Sequence, residues 1–357
     1  MDKNFPWDYH SDQPHILKRE DKKALRKGRG LDYFKLIATN LIYFPYLFLK
    51  FLFVPNLRLG TNPLPCSQPE VGNKFYGLCI NLDKGKAQYE LVEELGVKSL
   101  QIRVFLNDIE NIDNYINFAK GFGENKEILI TIIQDREHIE NHELLKKDIT
   151  TIFKKFEGIA NEFQIGNAIN RIKWSFVSME EYLVFYKTVQ NLRDEKFPKV
   201  KLIGSAVIDF EYHFSIRTLF NGFKVHYDKF STLLYVDRRG SPYSTQMGIF
   251  DFKNKIEFLD TIVRSSRKSE NSIYITEANW PLSGTAPYAP TSEKECVSEE
   301  LYTQYMLEYF EIAKKSQKIE KLFWHQLIAP GYGLVDNRDG KIRKTKAFYT
   351  FKKLLNP

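Results

Sequence analysis

The chain has 357 residues, 43% of them hydrophobic and 27% charged, enough to bury a large core and too apolar for a disordered polymer. Its net charge of +7 is concentrated: Lys18–Arg29 (KREDKKALRKGR) sets seven Lys and Arg against Glu20 and Asp21, a local +5 that leaves +2 for everything else. That distribution excludes a protein built to bind nucleic acid over a broad surface, and the three cysteines, Cys66, Cys79 and Cys296, show neither metal spacing nor an even disulfide framework.

Residues 1–17 are polar and aperiodic, and they are expected to be poorly ordered. With the basic run they form a polar, basic segment over residues 1–30. Leu31–Val54 (LDYFKLIATNLIYFPYLFLKFLFV) is apolar and makes residues 31–55 a membrane-associating segment. Its longest charge-free span, Leu36–Leu49, contains Asn40 and Pro45 and is flanked by Lys35 and Lys50. That is shorter than the ~20 residues a spanning helix prefers. A secretory signal is not expected, because the apolar part starts late and no small-residue cleavage site follows. Three readings stay open. The segment lies on an anionic membrane through residues 18–54, or spans it as a tilted anchor, or packs onto the rest of the protein or a second subunit. Dense aromatics beside a polybasic run favour membrane contact. Pro55, Pro63, Pro65 and Pro69 mark residues 56–73 as a linker.

From residue 74 onward, short apolar runs alternate with amphipathic helical stretches. The predicted strands are Phe75–Leu82, Ser99–Leu106, Ile128–Gln134, Glu162–Asn167, Val200–Ile208, Thr232–Val236, Ser272–Glu277 and Lys321–Leu327. Each is followed by a predicted helix, beginning near Lys86, Ile112, Leu144, Ser178, Phe214, Lys253, Glu299 and Lys344. Ser178 with Glu181 makes a capping box, and Ser298 is placed to cap the seventh helix. Eight such units in residues 74–357 predict an α/β fold of the (β/α)8 TIM-barrel type behind a helical leader. A doubly wound sheet is disfavoured, because Phe75-Tyr76-Gly77 lacks the glycine-rich phosphate turn.

In such a barrel the C-terminal strand tips converge on one pocket. The tips here carry Asn81 and Asp83; Arg103; Gln134, Asp135 and Arg136; Asn167, Asn170 and Arg171; Asp209 and Glu211; Tyr235 and Asp237; Glu277, Asn279 and Trp280; and Trp324, His325 and Gln326. Amides and carboxylates hydrogen-bond sugar hydroxyls, and tryptophan faces cover sugar rings. Arg136, Arg171, Arg238 and Arg239 would suit an anionic ligand. No cluster has metal-ligand spacing, no serine or cysteine sits on a nucleophile elbow, and no cofactor is expected.

With "IGNAIN" ending the fourth strand and "ITEANWP" ending the seventh, residues 74–355 resemble the glycoside hydrolases of clan A. The resemblance implies Glu277 as nucleophile, Arg103 as its brace, Asn167 as the amide on the sugar 2-hydroxyl, Trp324 as the sugar platform and Tyr235 as the strand-six aromatic. Trp280, Asn81 and Gln134 complete the expected substrate-binding set. The family pattern places an acid/base Glu after the strand-four Asn, where this chain has Ala168. A retaining glycosidase needs two carboxyls ~5–5.5 Å apart, and alanine cannot donate a proton.

Four explanations stay open. Hydrolysis has been lost and glycan binding kept; another carboxyl, Glu211, Asp209 or Asp237, serves as acid; the substrate needs little acid help; or Ala168 is an inactivating replacement. Outside this resemblance, Arg103 also fits a structural ion pair, Trp324 barrel core, Asn167 turn chemistry, and His325 packing. The leading expectation is a glycosidase-like protein at a membrane surface, acting on a cell-envelope glycan such as an acidic sugar of lipopolysaccharide. The alternatives are an inactive barrel that binds glycan or partners a membrane glycan-processing subunit, and a cytoplasmic barrel whose leader only mediates oligomerisation. The expected location is the inner membrane, with the barrel peripheral on the cytoplasmic side if the leader lies flat and outside if it spans.

Overall fold

The computed structural model describes residues 5–57, 74–237 and 240–356. The predicted linker lies almost wholly outside the described residues, as do Arg238 and Arg239.

Eight parallel strands close into a barrel: β1 (Tyr76–Ile80), β2 (Ser99–Phe105), β3 (Glu127–Ile133), β4 (Glu162–Ile165), β5 (Lys201–Ile208), β6 (Lys229–Leu233), β7 (Ile273–Ile275) and β8 (Ile319–Trp324). β8 returns to β1 with Phe323 opposite Gly77. A Cβ on Gly77 would lie 2.3 Å from the Phe323 ring, so closure needs glycine there. Runs such as ILITII can be apolar throughout because parallel strands are covered on both faces. Inside, Cys79, Leu129, Ile203, Tyr274 and Phe323 form one packed layer. Around the barrel, the helices following the strands start as expected: Ser178 caps Met179–Lys196 through Glu181 N, Ser298 caps Glu299–Ser316, and Thr345 caps Lys346–Leu355.

β6 lies three residues earlier than the predicted Thr232–Val236. Its polar first residue hides its start. Lys229 enters a network on the N-terminal face, donating to Tyr274 Oη at 2.7 Å and pairing with Glu320 and Glu162.

Of the three readings of the leader, packing on the barrel is met by one of its faces. The apolar segment is one helix, Gly30–Leu57, running through Pro45. One face joins the barrel: Leu47 and Phe51 are buried in the main core, and Phe44 stacks on Tyr212 at 5.0 Å. Asn40 Nδ2 donates to the His213 carbonyl at 2.9 Å, and Lys50 Nζ to Ser265 Oγ at 2.8 Å. The opposite face is bare, with Leu41 74% and Ile42 68% exposed. Gly30–Phe53 is long and apolar enough to cross a membrane, yet its core-facing side is already occupied by protein.

Residues 1–17, expected to be poorly ordered, contain a described hairpin. Trp7 and Asp8 pair with Pro14 and Gln13, and the Asp8 carboxylate accepts from Ser11 Oγ at 2.6 Å to close the turn. The hairpin is seated by aromatic contacts, with Trp7 edge-on to Phe105 at 5.4 Å and to Trp174 at 5.5 Å. Such pairs add to the apolar area they bury.

Candidate active site

The hairpin crosses the C-terminal mouth of the barrel and divides it. On one side is a cavity of about 420 Å³ lined by Glu277, and on the other one of about 460 Å³ lined by Asn81, Asp108 and Gln134. Asp12 and Arg103 line both.

Glu277 stands just past the end of β7, where three buried residues, Ile273–Ile275, hold the strand in the barrel. Tyr235 Oη donates to Glu277 Oε1 at 2.6 Å. Tyr235 follows β6, so neighbouring strand tips bring the pair together. A short bond from a neutral donor fixes the orientation of the carboxylate. His325, buried and lining the same cavity, is pushed below its ordinary value by burial against the pull of Glu277 and is neutral at pH 7.

Arg103 is held near Glu277, but its hydrogen-bond partners are others. Its Nε donates to Asn81 Oδ1 at 2.9 Å and its Nη2 to the Asp12 carboxylate. Asn81 Nδ2 in turn donates to Gln326 Oε1, and Gln326 Nε2 to Asp12 at 3.0 Å. These four residues make a closed buried ring. Burial alone would raise the Asp12 pKa, but the Arg103 charge, aided by Lys84 and Gln326, holds it below the usual carboxylate range. Burial would weaken the Arg103 charge, but Asp12, then Tyr332 and Glu277, raise its pKa above the ordinary value. Asp12 takes φ +54°, a left-handed conformation that aspartate tolerates better than most residues.

The other expected residues separate into two groups. Asp209, Glu211 and Asp237 line the Glu277 cavity. Asp209 and Glu211 both pair with Arg171, the latter at 2.7 Å, and Asn170 Nδ2 also donates to Glu211 at 2.7 Å. Gln134 does not line this cavity: it brackets the loop after β4, accepting from Asn167 N at 2.9 Å and donating to the Asn167 and Trp174 carbonyls. Asn167 itself is buried, and its Nδ2 finds no partner among the described residues. Asn279 Oδ1 and Thr276 Oγ1 at the β7 tip are likewise orphaned. Each such atom costs about 1–3 kcal/mol unless a ligand or water meets it.

The two tryptophans lie elsewhere. Trp324 is fully buried, donating from Nε1 to Tyr302 Oη at 2.7 Å, and Trp280 stacks on it at 5.9 Å while donating to the Gly240 carbonyl. Neither lines the cavity. The reason is strand alternation: Phe323 belongs to the interior layer, so Trp324 faces the outer helices and His325 turns back to the mouth. Trp174 and Tyr332 line the cavity instead. Of the four expected rim arginines, Arg238 and Arg239 lie outside the described residues, and the other two are already paired. Arg136 is bidentate with Glu181 at 2.8 Å and also bonded to Glu140, and Arg171 is committed to two acids. Among the described residues the cavity is lined by six carboxylates (Asp12, Asp209, Glu211, Asp237, Glu277, Glu295) and by Arg103, Arg171 and Lys173, an excess of acid.

Ala168 occupies the place expected of the acid. It has φ +46°, is fully buried, and shares an apolar cluster with Ile133, Trp174, Ala206, Leu233 and Tyr235.

By sequence the chain matches no protein-family model and no curated protein. By structure it is similar to a family 1 β-glucosidase from Thermotoga maritima, with a TM-score of 0.59 at 12% identity over 80% of this chain and 97% of that one. It is also similar to a monomeric β-xylosidase from Caulobacter crescentus CB15, TM-score 0.57 at 14% identity, covering 80% of this chain and 68% of that one. A GH39 β-xylosidase from Caulobacter crescentus gives TM-score 0.54 at 13% identity, covering 79% and 71%. At these identities the likeness is one of fold: the chain carries a closed (β/α)8 barrel similar to the barrels of these glycosidases.

Proposed function

We propose that this protein is a glycosidase acting at a membrane surface on the glycan of a membrane-bound or envelope molecule. The observation that carries this reading is Glu277 at the β7 tip, lining a cavity large enough for one or two sugar rings and oriented by Tyr235 at 2.6 Å. Glu277 acts as nucleophile, its carboxylate attacking the anomeric carbon. Arg103 places positive charge nearby, and Asn279, which lines the cavity, offers an orphaned amide oxygen for a sugar hydroxyl. The excess of carboxylates favours a neutral sugar, and the β-glucosidase and β-xylosidase names of the structural neighbours point to a β-linked one.

The membrane part rests on the helix Gly30–Leu57, whose outward face presents Phe34, Leu41, Ile42 and Leu49, and on the preceding run Lys18–Arg29. A helix with one face on the barrel suits an interfacial position, its apolar stripe in the acyl boundary and the basic residues at anionic headgroups. A second reading, a barrel that binds glycan without cleaving it, is favoured by Ala168 in its apolar cluster.

Activated 2-deoxy-2-fluoro-β-glycosides, bearing a dinitrophenolate leaving group that needs no acid, test the enzymatic reading. Intact-mass measurement is expected to show one glycosyl adduct on the wild type and none on Glu277→Gln. No adduct, with glycan binding retained, selects the second reading. For the membrane, Leu41→Ser/Ile42→Ser/Leu49→Ser is expected to weaken sedimentation with anionic vesicles by roughly a hundredfold or more while the barrel stays folded. Unchanged binding would remove the helix from the interface.

A further inference from the structure

Ala168 leaves the proposed glycosidase without a proton donor, and the same loop supplies a replacement five residues on. The turn Ile172–Trp174 follows β4 and is held in place by Trp174, which packs in the Ala168 cluster and whose carbonyl accepts from Gln134 at 2.7 Å. Lys173, between them, lines the Glu277 cavity. Its Nζ donates to Gln13 Oε1 at 2.5 Å, and no carboxylate among the described residues lies in ion-pair reach of it. Of the other acids lining the cavity, three are held in ion pairs. Asp209 and Glu211 are tied to Arg171, and Asp12 to Arg103.

We propose that Lys173 is the general acid that takes the role of the missing carboxyl, giving its proton to the departing glycosidic oxygen. This rests on the glycosidase reading. In the first step the Glu277 carboxylate bonds to the anomeric carbon, the bond to the leaving oxygen breaks, and the Lys173 ammonium protonates that oxygen. In the second step the neutral Lys173 amine takes a proton from water, the water oxygen bonds to the anomeric carbon, and Glu277 leaves as carboxylate. Sugar, protons and both side chains return to balance, with no co-reactant but water.

The surroundings suit the role. Burial lowers the Lys173 pKa first, the Arg171 charge lowers it further and Lys22 adds slightly, while Glu277 and Asp209 raise it; the result is about 8. Gln13, its hydrogen-bond partner, is neutral. A lysine near 8 is protonated at neutral pH and gives up its proton far more readily than a solvated one. Gln13 also donates from Nε2 to the Pro290 carbonyl at 3.1 Å, so the hairpin positions the ammonium against the mouth.

The test is leaving-group dependence in the full-length protein. With Lys173→Ala, kcat/KM on unactivated alkyl β-glycosides is expected to fall about 10²–10⁴-fold. On dinitrophenyl glycosides it is expected to change little, and the basic limb of the pH profile near 8 should disappear. Lys173→Arg keeps the charge but cannot give up its proton, so it is expected to behave like Lys173→Ala in rate and like wild type in stability. Equal loss on both substrate types, or an unchanged leaving-group dependence, overturns the assignment while trapping at Glu277 still stands. No adduct on the wild type with any activated glycoside overturns both.

Discussion

Asp12→Ala is expected to cost about 3–5 kcal/mol of folding stability, because it leaves a buried guanidinium without its counter-charge. Arg103 is 4% exposed, and its strongest partner is Asp12, from a hairpin 91 residues away in sequence. Removing the carboxylate also strips an acceptor from Gln326 Nε2. Asn81 alone cannot satisfy both. A loss of this size is a large share of the ~5–15 kcal/mol that holds a typical domain together. Asp12→Asn, which keeps an acceptor and loses the charge, should fall between. Urea unfolding at pH 7 reads all three proteins. A value for Asp12→Ala within about 0.5 kcal/mol of wild type, the range of neutral surface changes, would mean the hairpin is not seated in the mouth.

Leu47→Ala is the second large effect, expected at about 2–5 kcal/mol. Leu47 is fully buried in the main core, beside Phe51 and the barrel helix that carries Phe258. Leu41, six residues earlier on the same helix, is 74% exposed, and Leu41→Ala should change stability by about 0.5 kcal/mol or less. The contrast separates two pictures of the leader. A helix surrounded by lipid would show neither penalty in the barrel's unfolding. A helix docked on the barrel shows one and not the other. The same logic predicts that removing residues 1–57 damages the barrel, since Leu47 and Phe51 leave with it.

Much of this molecule was readable before any coordinates. Alternation between apolar runs and amphipathic stretches placed all eight strands and their helices, because each element must bury its own face. That Glu277 and Tyr235 would meet at the mouth was readable, since strand tips of a barrel converge wherever they lie in sequence. Parity was harder. Leu322-Phe323-Trp324 is apolar at every position, so period two leaves no trace, and Trp324 was assigned to the mouth that His325 occupies. Gln134 looked like a ligand amide and instead brackets a loop, a role set by backbone groups the sequence does not display. Asp12 was the least legible. It sits in an aperiodic polar segment, and every one of its charged and amide partners is more than 70 residues away. Arg136 and Arg171 show a related limit: charge counts tell which cations are present, but not which acids already hold them.

The central claim is that Glu277 is the nucleophile of a glycoside-cleaving site. Proteolysis and mass spectrometry of the wild-type protein after reaction with an activated 2-deoxy-2-fluoro-β-glycoside test it most directly. The expected result is a single glycosyl adduct on the peptide containing Thr276-Glu277-Ala278, absent from Glu277→Gln. An adduct carried by another residue, or a wild-type protein that stays unlabelled across the glycoside panel, would contradict it.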